Sequence, residues 1–265
     1  MTERIAIIGL GSIGSRHADT LLAMGYQDLV AVDPRPMPHE ERFPVVDRFE
    51  DIGYWKPQAA LICSPPEFHY HHAKYFLDFG IPTFIEKPMT HTASEARTLC
   101  AIAHMNKTIL AVGHMERAHP VVLEARHWAV THQPDRAEFF CYWRAAQKTY
   151  TLSCVDESSH VIDTALFVMG RAERCKRRGG IGSRASIALL HGNDAGSEIT
   201  MDMDAPPRRR IQIYGAGESF SKDYGTTKEE WGACYKAELQ AFLDGKPLCT
   251  GHDGVAVMEI LETVR

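Results

Sequence analysis

The chain contains 265 residues, of which 45% are hydrophobic and 24% are charged, and its formal net charge is −5. This length is sufficient for two compact domains with proper cores. Because the net charge is negative and no run approaches the roughly 18 apolar residues of a membrane span, we expect neither nucleic-acid nor membrane partners.

The cysteines indicate the redox environment of the chain, and the histidines indicate whether it binds a metal. The seven cysteines are scattered, with no Cys-x-x-Cys pair, which favours reduced thiols. The N-terminal residues lack the pattern of a signal peptide, so we expect a cytoplasmic location. The densest histidine group, His69, His71 and His72, has no acidic or cysteine partner at ligand spacing, so we predict no metal site.

A nucleotide-binding fold is indicated at the start of the chain. Residues 4–8 form a short β-branched run, Arg-Ile-Ala-Ile-Ile, of the kind found in strands buried on both faces. The sequence Gly9-Leu10-Gly11-Ser12-Ile13-Gly14 follows at once, then a helical stretch to Met24. A second strand, Leu29 to Val32, ends in Asp33. This order of strand, glycine loop, helix, strand and acid is the context that a dinucleotide fingerprint requires.

Each glycine of the loop has a physical reason. Gly9 makes the tight turn, Gly11 lets the backbone approach a pyrophosphate, and Gly14 lets the helix pack closely on the strand. The first helical turn, with Ser12 and Ile13, offers free N–H groups and the positive end of the helix dipole to the phosphates.

The acid at the end of the second strand bears on the choice of cofactor. Asp33 would accept hydrogen bonds from the ribose hydroxyls and repel a 2′-phosphate, which favours NAD. Arg35 offers a partner for such a phosphate and weakens this preference. We therefore predict NAD as the cofactor, with NADP the less favoured.

Alternation of strands and helices continues to about residue 118. Strands are predicted at 59–63, 82–85 and 108–112, with a helix at 67–79 and another opened by the capping box Thr92-Ala93-Ser94-Glu95. Short connections between such elements predict right-handed crossovers and a doubly wound parallel sheet. We assign residues 1–118 to an NAD-binding Rossmann domain of an α/β protein.

The carboxyl ends of the predicted strands carry the polar residues. Ligands of doubly wound sheets bind at this edge. Gly9, Asp33, Ser64, Glu86-Lys87 and the segment 113–117 all fall there, which predicts a single site.

These residues resemble the Gfo/Idh/MocA group, which includes glucose–fructose oxidoreductase, inositol dehydrogenase and rhizopine-catabolism proteins. Three segments carry the resemblance: the Gly9 to Gly14 fingerprint, Ser64-Pro65-Pro66 with His69, and Gly80-Ile81-Pro82-Thr83-Phe84-Ile85-Glu86-Lys87-Pro88. Weaker similarity extends through Val112-Gly113 with Arg117 and Pro120, residues 235–246 and Gly251-His252-Asp253-Gly254.

The resemblance assigns roles to several of these residues. It implies that Ser64, Pro65, His69 and Glu86 lie at the cofactor. It also implies that Lys87 lies beside the nicotinamide, contacts the reacting hydroxyl or carbonyl and shares in proton transfer.

A polar helix is predicted in the second half of the chain, after a strand at 137–144. Asp156, His160, Asp163 and Phe167 are spaced i, i+4, i+7 and i+11, which places them on one face of a helix that ends at Gly170. Val161, Ala165 and Val168 lie on another face and are expected to pack inward.

This helix is similar to the family's Asp-x-x-x-His-x-x-Asp segment. The resemblance makes His160 the general base for alcohol oxidation, or the acid in reduction, and a histidine's ordinary pKa near 6.5 suits that exchange. Asp156 would orient the imidazole or bind a substrate hydroxyl, and Asp163 would bind another hydroxyl. Arg117 and Arg144 either bind polar groups of the substrate or pair with a neighbouring carboxylate.

Residues 184–214 read as an antiparallel meander with one apolar and one polar face. Cross-strand acids are available to the arginines at 208–210. We assign residues 119–265 to an α+β domain, built on an open, mainly antiparallel sheet, for substrate binding and oligomerisation. The resemblance implies a homodimer or homotetramer.

The function predicted from these features is hydride transfer between NAD and a secondary alcohol or ketone of a sugar, cyclitol or sugar derivative. Two alternatives stay open: reduction of a non-sugar acceptor, as in the biliverdin reductase branch, and an NAD-binding regulator without turnover. The carboxylates Asp156 and Asp163 argue against the first, since such an acceptor needs no hydroxyl-binding groups. Cys154 and Ser158-Ser159 stand where the family often has glycines, which leaves the substrate open.

Overall fold

The computed structural model describes residues 4–35, 41–142, 158–180, 183–192, 194–225 and 227–265. The chain divides into two compact units. The first contains Met1–His114 and Tyr235–Val255, and the second contains Met115–Cys234 and Ala256–Arg265. The functional division predicted between residues 118 and 119 stays a prediction.

The first unit contains a parallel sheet. Its described strands are β1 (Ile5–Ile8), β2 (Leu29–Val32), β3 (Val45–Val46), β4 (Ala59–Ile62), β5 (Thr83–Ile85) and β6 (Leu110–Val112). Their order is β3-β2-β1-β4-β5-β6, and every pairing is parallel. All residues of β1, β2 and β4 are buried, as expected for strands covered on both faces. The predicted doubly wound sheet is confirmed.

Helices of the first unit begin at recognisable signals. They are α1 (Ser12–Ala23), α2 (Pro66–Asp78) and α3 (Ala93–Met105). Pro66 occupies the first turn of α2, where its missing N–H costs no helical hydrogen bond. The predicted capping box opens α3: Thr92 accepts the Glu95 N–H, and the Glu95 side chain accepts the Thr92 N–H.

Two side chains from late in the sequence complete the core of the first unit. Leu239 and Phe242 are buried in the same cluster as Leu21 and Phe84, and the rings of Phe84 and Phe242 are 5.7 Å apart. Each buried leucine or phenylalanine contributes about 1.5–3 kcal/mol. They belong to α6 (Lys228–Leu243), which begins in the second unit and ends in the first.

The second unit contains a mainly antiparallel sheet. Its described strands are β7 (Arg136–Tyr142), β8 (Ala172–Gly179), β9 (Arg184–His191), β10 (Gly196–Asp202), β11 (Arg208–Gly215) and β12 (Glu218–Tyr224). The order is β12-β11-β7-β10-β9-β8, and only the β7–β10 pair is parallel among these strands. The predicted mainly antiparallel sheet is confirmed, but the continuous meander predicted over residues 184–214 is wrong, because β7 lies between β10 and β11 and pairs parallel with β10.

Helices cover one face of this second sheet. They are α4 (Pro120–His132) and α5 (Ser159–Met169). Helix α5 packs against β7 and β10, and α4 packs against β11 and β12. Val161, Ala165 and Val168 are buried as expected, and Asp163, which the periodicity places on the polar face of α5, is completely buried too.

The last described helix is α7 (Gly251–Val264), which follows α6 after a short turn. Among the described residues, no helix combines the length and the apolar character that crossing a bilayer requires.

Candidate functional site

The glycine loop after β1 has the shape that its sequence predicts. Gly9 has φ +95, and a Cβ there would lie 2.8 Å from the Cys63 carbonyl oxygen. A Cβ on Gly14 would lie 1.9 Å from the Gly9 carbonyl oxygen, so only glycine fits at either position. A Cβ on Gly11 would meet nothing within 4 Å. The loop is therefore closed against protein on two sides and open at Gly11.

The start of α1 leaves backbone donors available. Gly11 is the N-cap residue, has an extended conformation and provides no side-chain cap. Ser12 is exposed and Ile13 is half-buried. The first N–H groups of a helix have no partner within it, and the helix dipole favours an anion there.

Asp33 closes this loop at the end of β2. Its Oδ2 accepts the Leu10 N–H at 2.8 Å, and its two oxygens accept the Arg35 guanidinium at 3.1 and 3.2 Å. Burial by itself raises the pKa of Asp33, but the hydrogen bonds from Arg35 and Leu10 outweigh it and hold the pKa below its ordinary value. The carboxylate is therefore ionised at neutral pH, with the largely exposed Arg35 beside it.

The end of β4 is tied to α2 and to the segment after β5. The two ring nitrogens of His69 lie 2.7 Å from the Ser64 carbonyl oxygen and 2.9 Å from the Pro88 carbonyl oxygen. Burial lowers the pKa of His69, although both carbonyls act in the opposite direction. The neutral imidazole carries one N–H, so it donates to one of these two carbonyls, and its ring lies between the Ser64 and Pro88 backbones.

A second histidine contacts the Ser64 side chain. The Ser64 hydroxyl lies 2.9 Å from Nδ1 of His72, whose ring stacks on Phe49 and Phe68. Burial, with the charges of His69 and His71, lowers the pKa of His72 to about 4. The neutral imidazole holds the Ser64 hydroxyl in one orientation.

Glu86 and Lys87 follow β5. The buried Glu86 carboxylate lies 2.7 Å from Nε2 of His17 on α1 and accepts the Lys87 N–H at 3.0 Å. Gly113, after β6, packs against the same carboxylate, since a Cβ there would lie 3.0 Å from it. Lys87 itself is half-buried.

The predicted residues of the first unit thus converge at the carboxyl ends of its strands. Contacts join Gly9 to Ser64, Leu10 to Asp33, and Ser64 to Pro88 through His69. His17 was not predicted. The available signal was its position three residues after Gly14 on the helix that the loop opens.

In the second unit the predicted substrate residues Arg117 and Asp163 bind each other. Nη2 of Arg117 lies 2.6 Å from Oδ1 of Asp163, and Nε lies 2.9 Å from Oδ2. Both residues are buried. The guanidinium of Arg117 also lies over the Phe167 ring. The observed contact is the alternative in which the arginine pairs with a carboxylate.

Of the three remaining predicted site residues of the second unit, the structure describes one. His160 is half-buried in the first turn of α5. Arg144 and Asp156 lie outside the described residues. The roles assigned to all of these side chains stay predictions.

Sequence reasoning missed a buried network around Glu116. Its carboxylate accepts hydroxyls of Tyr224 at 2.8 Å and Thr164 at 3.2 Å, and lies 2.9 Å from Nε of Arg209. Burial and Glu116 raise the pKa of Tyr224, so its hydroxyl stays protonated and donates. The arginine run at 208–210 is accordingly divided: Arg209 points inward, while its neighbours pair with Asp223 on the open face. Only the fold brings these partners together.

Comparison with known proteins agrees with this geometry. Residues 3–114 match the family described as GFO_IDH_MocA, an oxidoreductase family with an NAD-binding Rossmann fold. The scyllo-inositol 2-dehydrogenase (NADP(+)) IolW of Bacillus subtilis is 27% identical over 187 residues, which is 64% of this chain and 52% of that protein. The UDP-N-acetylglucosamine 3-dehydrogenase of Acidithiobacillus ferrooxidans is 31% identical over 126 residues, or 45% of this chain and 39% of that protein.

The chain thus spans about half, or less, of the length of these relatives. Among solved structures, a probable dehydrogenase from Thermotoga maritima superimposes with a TM-score of 0.86 at 19% identity, covering 98% of this chain and 95% of that chain. At this identity the likeness is one of fold.

Proposed function

We propose that the chain is a member of the Gfo/Idh/MocA oxidoreductases, since the model of that family, with its NAD-binding Rossmann fold, matches residues 3–114. The protein transfers hydride between a nicotinamide cofactor and a secondary alcohol or ketone of a sugar, cyclitol or sugar derivative. The names of the relatives, an inositol dehydrogenase and a sugar-nucleotide dehydrogenase, support this substrate class. The observation that carries the proposal is the glycine loop, which borders open space at Gly11.

The residues of the first unit fit such a cofactor. The open space at Gly11 and the uncapped start of α1 suit a pyrophosphate. When bound, the nicotinamide supplies the donor or acceptor of hydride. Ser64, Pro65 and Glu86 border the cofactor from the ends of β4 and β5, and His69 borders it from the start of α2.

Asp33 favours NAD over NADP. Its ionised carboxylate repels a 2′-phosphate and accepts ribose hydroxyls. Arg35, which neutralises part of this charge, moderates the preference.

Lys87 and His160 handle the proton of the reacting hydroxyl. Lys87 donates to or orients the substrate oxygen, and His160 accepts the proton in oxidation or returns it in reduction. Asp156 orients His160 or binds a hydroxyl, and Arg144 binds a polar group. The buried Arg117–Asp163 pair supports a role in fixing α5, which carries His160. Direct hydroxyl binding by either partner stays a prediction.

The test is NADH formation across a panel of inositols, sugars and sugar nucleotides, with nucleotide affinity measured separately by fluorescence. We expect Lys87→Met and His160→Gln to lower kcat by about 100-fold or more, as removal of a proton-transfer group does. The exposed Lys246 and His127 supply matched controls, and Lys246→Met and His127→Gln should retain full activity.

Two results would contradict the proposal. Tight nucleotide binding without turnover of any alcohol or ketone in the panel would favour a regulator. Equal affinity for NADH and NADPH would refute the preference assigned to Asp33.

A further inference from the structure

A buried contact between two titratable side chains links α1 to the end of β5. Nε2 of His17 lies 2.7 Å from Oε1 of Glu86, and their side chains are 0% and 9% exposed. The ionised carboxylate can only accept, so the imidazole N–H donates. Nδ1 of His17 has no hydrogen-bond partner among the described residues.

The other Glu86 oxygen fixes the backbone of the next residue. Oε2 accepts the Lys87 N–H at 3.0 Å. The Gly113 backbone fills the remaining side of the carboxylate. Glu86 therefore has one oxygen for α1 and one for Lys87, with no room to turn.

His17 is held equally firmly. Its ring lies edge-on to Phe84 at 5.5 Å and to Tyr235 at 5.6 Å. Among the described residues, the other titratable groups on which Glu86 acts are Cys63 just after β4, His69 from α2 and Tyr235 from α6. The buried Glu238 of α6 acts on the same Cys63 and Tyr235. The ring contacts with Phe84 and Tyr235 fix the position of the His17 imidazole.

Stability alone does not account for this arrangement. Desolvating a carboxylate is costly, and a buried polar pair is often no more stable than apolar side chains of similar volume. Burial by itself raises the pKa of Glu86, but the hydrogen bonds of His17 and Lys87 outweigh it and lower the pKa. The charge of Glu86 therefore depends on His17.

We propose that His17 is a positioning residue for Lys87, acting through Glu86. His17 keeps the carboxylate ionised and oriented, and the carboxylate fixes the Lys87 backbone at the end of β5. The inference rests on the proposed function in one respect, the assignment of Lys87 to proton transfer. The link from His17 to the Lys87 backbone holds independently of turnover.

The Lys87 amide is a direct probe of this link, because its proton is bonded to Glu86. We would label the protein with ¹⁵N-lysine, assign the resonance with Lys87→Arg, and follow the amide proton shift from about pH 8 to pH 5, above the ordinary glutamate pKa. The samples are the wild type, His17→Leu, and His17→Gln, whose amide retains a donor near the position of Nε2. The buried His191, hydrogen-bonded to Ser197 in the second unit, supplies the control His191→Leu.

The wild type and His191→Leu should show a constant shift. Without its imidazole partner, the buried Glu86 takes up a proton at higher pH, so His17→Leu should show a transition within this range and His17→Gln should suppress it. In turnover, His17→Leu should lose roughly tenfold to a hundredfold in kcat. Its nucleotide Kd should stay within about twofold of the wild-type value. The acid limb of its kcat–pH profile should move to higher pH.

An unchanged amide profile in His17→Leu would overturn the proposal. A changed profile with an unchanged kcat would also overturn it, as would parallel losses in Kd and kcat without movement of the acid limb. If the wild type turns over no substrate, the proposed function fails, and the amide profile alone decides the link between His17 and Lys87.

Discussion

The two units build their candidate functional groups differently. In the first unit the glycine loop offers backbone: Gly11 borders open space, and the start of α1 has no side-chain cap. In the second unit charge is held by side chains, because Arg117 and Asp163 form a buried bidentate ion pair and Glu116 binds Arg209.

Because of this difference, the two units should respond differently to amino-acid substitutions. A backbone site loses ligand binding when a side chain is added at the right glycine, while the fold persists. A buried ion pair has the opposite property: removing one partner leaves the other charge desolvated, and the fold itself is destabilised. Substitutions at Asp163 and Gly11 should therefore have opposite effects on stability and on ligand binding.

The largest effect is expected for Asp163→Asn. The substitution removes the carboxylate charge that lies 2.6 Å from the buried Arg117 guanidinium, so the free energy of unfolding should fall by about 3–5 kcal/mol. Urea unfolding followed by circular dichroism measures this loss. Arg208→Met, which removes a half-exposed pair with Asp223, is the control and should cost at most about 1 kcal/mol.

A double variant sharpens the same prediction. Replacing Arg117 and Asp163 together by leucine should recover much of the loss, since the buried guanidinium is removed together with the carboxylate. A cost for Asp163→Asn no greater than that for Arg208→Met would show that the pair does not hold the second unit together.

A large effect on binding, without one on stability, is expected for Gly11→Ala. Its φ of −65 is accessible to alanine and no protein atom lies within 4 Å of the added Cβ. The methyl group would occupy the proposed place of the pyrophosphate, so NADH affinity should fall by about a hundredfold, or roughly 2.7 kcal/mol.

NADH fluorescence titration and thermal unfolding check the two halves of this prediction. Gly232→Ala, at another glycine with open space around it, is the matched control. It should leave NADH affinity unchanged and, because Gly232 lies inside α6, raise stability by about 1 kcal/mol. If Gly11→Ala binds NADH as tightly as the wild type, the proposal that the cofactor binds at this loop is refuted.

The smallest effect is expected in the pH dependence of stability. His72 has a pKa of about 4 in the folded chain because of burial, against an ordinary value near 6.5. The unfolded chain therefore takes up a proton first, and the free energy of unfolding falls as the pH drops from about 6.5 to about 4. His72→Phe should make this slope shallower while preserving the stack with Phe49 and Phe68.

Urea unfolding at a series of pH values measures the slope. Ser64→Ala removes the hydrogen bond to His72 but keeps the buried imidazole, so its slope should match the wild type. An unaltered slope in His72→Phe would mean that other groups, such as His69, account for the acid sensitivity.

Much of the first unit could be predicted because its signals are local. The buried runs at 5–8 and 59–62, the glycines at 9, 11 and 14, and the Thr92–Glu95 capping box each lie within a few residues. Such patterns determine a strand, a turn or a helix start before any distant contact forms. The convergence of Gly9, Asp33 and Ser64 then follows from the rule that parallel strands present their carboxyl ends at one edge.

The partners of buried charges were not predictable in the same way. Periodicity put Asp163 on a polar face of α5, yet the structure buries it completely against Arg117, 46 residues earlier. His17 and Glu86 are 69 residues apart, and Leu239 and Phe242 enter a core whose other members lie before residue 112. A sequence pattern reports that a side chain is buried or polar, but which group it meets depends on how distant segments pack. The sequence by itself therefore determined the Rossmann scaffold and its glycine loop. Only the tertiary structure decided the pairings His17–Glu86 and Arg117–Asp163, because a desolvated charge is stable only where the fold places a partner in contact with it.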